Sequence, residues 1–113
     1  MEHALTLLFW LLVAHAVCDY PLQGDFLAKA KNHTAPIPGI DWWIALAAHS
    51  AIHAGAVAYI TGSVLIGVWE FFAHFCIDHA KCAGETSFRT DQLLHVLCKV
   101  AIVVGVVVRA MTQ

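Results

Sequence analysis

Charge is scarce in this sequence. Asp, Glu, Lys and Arg make up 12% of its residues, where soluble domains carry about 25%. With 60% hydrophobic residues and a mean hydropathy of +0.73, the chain lies outside the range of water-soluble globules. The net charge of −2 with neutral histidines, and the lack of an Arg/Lys patch interleaved with aromatics, exclude a nucleic-acid surface. No CxxC pair is present. Cys18, Cys76, Cys82 and Cys98 sit inside or at the ends of apolar runs and read as small buried hydrophobes kept as reduced thiols. Pro21, Pro36 and Pro38 all fall outside the apolar runs, so no helix breaker interrupts them.

What remains is apolar sequence in helix-sized pieces. Residues 4–18, 42–61, 63–82 and 91–111 are mostly Ala, Val, Leu, Ile, Phe and Trp, and a bilayer core of about 30 Å takes about 20 helical residues. The expected fold is all-α: a four-transmembrane-helix bundle forming one integral membrane domain over residues 1–113, with helices near 3–20, 42–61, 63–82 and 91–111. The first segment is not read as a cleaved signal, because Glu2 and His3 stand where Lys or Arg is expected. Between the first two spans, Phe26, Leu27 and Ala30 with Lys29 and Lys31 suit a short amphipathic segment on the membrane surface, before Pro36, Pro38 and Gly39 forbid helix. "TGS" at 61–63 allows only a tight hairpin. In "CAGETSFRTD", Thr90 or Asp91 is the expected cap of the last helix. The two longer loops face one side and hold Lys29, Lys31 and Arg89, with Lys81 at the adjoining helix end. The opposite side has Arg109. The positive-inside bias makes those loops cytoplasmic and both termini non-cytoplasmic, as in a multi-pass membrane protein.

Each span also carries a pair of metal-binding residues at i, i+4 spacing: His15 with Asp19, His49 with His53, His74 with Asp78, and Asp91 with His95. Residues four apart share a helix face, so each pair can chelate one cation or bridge two. In the topology above all eight fall in the cytoplasmic half of the membrane. One such pair is most simply a polar contact between helices, worth about 0.6–2 kcal/mol. Four at matching depth argue for function, since ionisable groups inside a bilayer are costly. Five imidazoles with three carboxylates suit a transition metal, zinc first, and not calcium or magnesium. Eight ligands exceed one site and match two ions held between four helices. The competing reading is a metal-free polar or proton-relay network. Glu70, one turn before His74, is a further carboxylate, either supporting a ligand or packing helices. His3, His33 and His79 fall outside the pattern and read as surface or interfacial residues.

The segments "HAVCDYPLQ", "HSAIH", "HFCIDHAK" and "DQLLH" together resemble a family of small integral membrane proteins of bacteria and their phages, catalogued as a domain of unknown function. The matching residues are His15, Asp19 and Gln23; His49 and His53; His74, Asp78 and Lys81; and Asp91, Gln92 and His95. Tyr20 stands where that family often has Phe. The resemblance implies a four-helix membrane protein and no settled activity.

From the residues alone, a metal-dependent hydrolase is the natural enzyme reading, because a bound transition ion brings the pKa of its water toward about 7 when one coordination position stays open. That label is also common for His/Asp-rich membrane proteins, by analogy. Gln23, Glu70, Lys81 and Gln92 are the expected supporting or substrate-contacting residues, while Arg89 reads as a membrane anchor. The alternatives are a structural bundle stapled by metal and a metal or proton carrier. The expected partners are the lipid bilayer, an anionic lipid or phosphoester as substrate, and, left open, further copies of the chain.

Overall fold

Five α-helices and no strand make up residues 1–112, the part of the chain that this computed structural model describes. They are α1 (Glu2–Asp19), α2 (Gly24–Ala30), α3 (Trp42–Thr61), α4 (Val64–Cys82) and α5 (Phe88–Met111). Helix α1 stops just before Pro21, whose ring and missing N–H forbid continuation. The short α2 falls where the short amphipathic segment is expected. Pro36, Pro38 and Gly39 keep the chain irregular before α3. Gly62 ends α3 in the left-handed region at φ +66°, a conformation other residues adopt only at a cost. Ser63 then turns extended, and its hydroxyl accepts the Ile66 N–H at 3.4 Å to start α4.

The last helix corrects an expectation. Neither Thr90 nor Asp91 caps it. Ser87 does, accepting the Thr90 N–H at 3.2 Å, so α5 begins at Phe88, three residues earlier than the composition of the apolar run suggests. The physical gain is that Asp91 lies in the first turn with its side chain turned inward, buried, where a cap would have held it at the surface.

Helices α3 and α4 form the closest pair. A Cβ built on Gly67 would lie 2.7 Å from the Ala58 Cβ and 2.8 Å from the Ala54 carbonyl oxygen. Neither neighbour is a flexible side-chain end, so Gly67→Ala is expected to force the helices apart and cost about 1–3 kcal/mol. Thermal unfolding in detergent of Gly67→Ala beside Gly55→Ala, where a Cβ meets nothing within 4 Å, measures that cost apart from helix propensity.

Along its length the bundle divides in two. Around the hairpin end, Leu11, Val57, Ile102 and Val103 make an apolar core packed by Leu7, Leu8, Ile60, Ile66 and Val106. Toward the other end the interior is polar. More of the buried residues are polar or charged than apolar, while Leu5, Phe9, Trp43, Leu65, Phe72 and Val104 face outward. A soluble protein does the reverse. Helices α1, α3 and α5 are each long and apolar enough to cross a membrane, and this distribution points to a membrane protein. Helix α4 has 19 residues but carries Glu70, Asp78 and Lys81.

Candidate metal centre

Four helices aim their i, i+4 pairs at one point. His15 and Asp19 come from the last turns of α1, His49 and His53 from α3, His74 and Asp78 from α4, and Asp91 and His95 from the start of α5. All five imidazoles turn Nε2 inward. His15 Nε2 lies 3.2 Å from Asp19 Oδ2, His53 Nε2 3.0 Å and His49 Nε2 3.4 Å from Asp19 Oδ1. His49 and His74 meet Nε2 to Nε2 at 3.2 Å. His95 Nε2 lies 3.0 Å from Asp78 Oδ1 and 3.6 Å from Asp91 Oδ1. The five histidines, Asp78 and Asp91 are buried, and Asp19 nearly so.

These distances carry information. Four ligand atoms around a tetrahedral ion at bonds of about 2.0–2.1 Å stand about 3.3 Å from one another, which is the spacing seen here. The histidine–carboxylate approaches are equally good hydrogen bonds, so the spacing permits a metal without requiring one.

The ligand atoms fall into three groups whose members lie within 4.8 Å of one another: Asp19, His49, His53 and His74; His15, His74 and His95; and Asp78, Asp91 and His95. Together the groups contain all eight residues. The first and third share no residue, so two ions can be held at once, one by four ligands and one by three. His15 lies between them.

The supporting residues divide. Gln92 Nε2 donates to Asp19 Oδ2 at 3.2 Å and Asp91 Oδ2 at 3.0 Å, and its Oε1 faces His15 Nε2 at 3.4 Å, tying both groups together. Glu70 Oε1 stands 3.5 Å from His74 Nδ1, behind the ring, where an acceptor fixes which nitrogen of a ligand histidine is free for metal. Lys81, half-buried, lies 3.7 Å from Asp91 Oδ2 and over the Phe88 ring at 5.1 Å. Gln23 stays outside the cluster and donates to the Asp19 backbone carbonyl at 3.1 Å, holding the end of α1. Arg89 and His3 are exposed. His33 and His79 stack on each other at 4.1 Å beside Trp42, apart from the eight.

Two lysines depart from what the sequence leads one to expect. Lys31, expected on the membrane surface, is buried, and its Nζ donates to Asp78 Oδ2. It follows the last residue of α2, and that helix, packed against α3, carries it inward with the buried Ala30, while Phe26 and Lys29 stay outside. Lys99, which belongs to none of the four pairs, is fully buried and donates to Glu70 Oε1.

An all-α chain with three helices apolar enough for a membrane, and a buried His/Asp cluster drawn from those three and α4, is thus defined. It belongs to the family described as "Protein of unknown function (DUF3307)", whose profile matches residues 7–113. No curated protein and no solved structure matches it.

Proposed function

We propose that this is a four-span protein of a bacterial inner membrane whose helices hold two transition-metal ions, zinc by ligand preference, near the cytoplasmic face, and that one of them serves hydrolysis. The observation that carries the reading is the division of the cluster. Four-ligand zinc sites are closed and structural, whereas three protein ligands leave a position for water. The set Asp19, His49, His53 and His74 is of the first kind; Asp78, Asp91 and His95 are of the second.

Helix α4 serves as the fourth span because its charged residues do not face lipid. Glu70 and Asp78 are buried in the bundle, and Lys81 lies in the last turn. Sidedness follows the cations: Lys29 in α2 and Arg89 in the first turn of α5 are exposed near the cluster end of the bundle, and Arg109 near the opposite end. Cysteine labelling from either side at Asp25 and Glu85 is expected to report both as cytoplasmic. Labelling from outside at both would reverse the orientation.

A bound ion would supply an activated water and polarise an ester. The chain's own contribution is positional. His95 and the inner oxygens of Asp78 and Asp91 fix the open site, and a carboxylate oxygen not taken by metal can accept the proton the water gives up. Turnover of a phosphodiester that is lost on chelation, restored by zinc and abolished in His95→Ala is the expected result. Two retained ions with no turnover across lipid and soluble esters would favour the structural staple. Carriage across the membrane has less support: beyond the Glu70–Lys99 pair the interior is the apolar core around Leu11, Val57 and Ile102.

A further inference from the structure

The open site has a feature that metal binding does not use. His95 reads the Oδ1 atoms of Asp78 and Asp91, and each of the two Oδ2 atoms faces a lysine: Lys31 hydrogen-bonds that of Asp78, and Lys81 stands 3.7 Å from that of Asp91. Both lysines, with Asp19, Asp25, Asp78 and Gln92, line a cavity of about 220 Å³ that reaches Tyr20 and Phe88 at the end of the bundle.

Charge balance says what this cavity takes. With neutral histidines, Asp19, Asp25, Asp78 and Asp91 outnumber Lys31 and Lys81, so the empty cluster attracts cations. Two divalent ions reverse the sign and leave a positive surplus beside ligands that are almost all buried. Uncompensated charge is not tolerated there. If the lysines served only to hold the apo cluster, they would be redundant once metal arrived; as they stand, they add to the surplus and sit on the cavity wall. A singly charged carboxylate would offset less of it than a phosphoryl group, and ammonium groups are good point-charge partners for phosphate. The cavity is large enough for a phosphoryl group and too small for the body of a lipid, which would remain at the mouth, where Tyr20 and Phe88 are exposed.

We propose that this cavity is a phosphoryl-binding site, in which Lys31 and Lys81 receive the phosphate of a phosphoester next to the three-ligand metal position. The inference rests on the metal reading above and extends it to a substrate class. The phosphoester can be a lipid headgroup or a soluble ester, since both present the same group.

The test titrates inorganic phosphate into zinc-loaded protein in lipid nanodiscs, followed by calorimetry, with zinc content measured on the same samples. Phosphate is expected to bind the loaded protein and not the chelated one. Lys81→Gln and Lys31→Gln should each weaken it by about tenfold or more, as loss of a charged hydrogen bond does, and Lys31→Arg should retain it. Because Lys81 is half-exposed, Lys81→Gln reports even if Lys31→Gln disturbs Asp78. Competition by glycerol phosphate points to a soluble ester, and competition by phosphatidylglycerol placed in the disc points to a headgroup. Zinc present with phosphate affinity unchanged in both Gln variants, or acetate binding as tightly as phosphate, overturns this site and leaves the metal centre standing. A chain that cannot be loaded with zinc at all overturns both.

Discussion

Purified in mild detergent without chelators, the protein is expected to retain about two transition-metal ions per chain, as a two-metal site would, and single ligand variants should lose them unequally. Asp19→Ala removes a member of the four-ligand set alone, and Asp91→Ala a member of the three-ligand set alone. Each should cost about one ion. Asp78 is different. Its Oδ1 meets His95, while its Oδ2 also lies 3.4 Å from His49 and 3.6 Å from His74, two members of the other set. Asp78→Ala should therefore lower both occupancies. Elemental mass spectrometry decides, and a fall of the same size in all three variants would mean one merged site. Stability should follow the metal, because apparent binding energies of about 10–16 kcal/mol for structural zinc in small domains become folding energy. Chelation is expected to lower the unfolding temperature in proportion to the ions removed. Protein that arrives without metal, keeps its helix content and takes up none when zinc is added would return the cluster to a polar network.

The second large effect concerns Lys99. Breaking a buried ion pair by removing one partner costs about 3–5 kcal/mol, whereas replacing both partners with neutral groups of similar volume is often close to neutral. Lys99 and Glu70 are both fully buried and face each other across α4 and α5. Lys99→Met is expected to destabilise strongly, and Glu70→Gln with Lys99→Met to recover most of the loss. A thermal or denaturant series on the two variants measures this. The single variant should also loosen zinc by about ten- to a hundredfold, the usual effect of disturbing an outer partner of a ligand, since Glu70, no longer held by Lys99, would lose its fixed place behind His74. Stability lost equally in single and double variants would show that Lys99 contributes independently of Glu70.

The four i, i+4 pairs are legible in the sequence because helical spacing alone puts their members on one face and their depth follows from topology. Lys99 is as legible, though it takes a longer row to see it. Glu70, His74 and Asp78 recur every four residues on α4, and Asp91, His95 and Lys99 do so on α5. Set antiparallel, the rows bring Glu70 to Lys99 and His74 to His95, contacts that are found. Lys31 has no such signal. It follows a short amphipathic helix whose other exposed residues, Phe26 and Lys29, fit a membrane surface, and only the path of the chain after α1 decides that its last side chain turns inward. The Ser87 cap is hidden for a related reason: the apolar run begins after Asp91, and the polar first turn of α5 exists to serve the cluster.

The closeness of α3 and α4 has a bearing on how the chain enters its membrane. In the four-span reading, α4 is a poor candidate for solitary insertion, since an acidic or basic residue near the middle of a spanning helix costs about 2.5–3.5 kcal/mol at the translocon. Its turn from α3 is only Gly62 and Ser63, and Gly67 lies against Ala54 and Ala58 from the outset. The two segments would leave the ribosome and partition as one hairpin, with Asp78 already turned toward His49 of α3. Biogenesis is then ordered: α1 first, the hairpin next, and α5 last, bringing the counter-charge of Lys99 that lets the half-built bundle close.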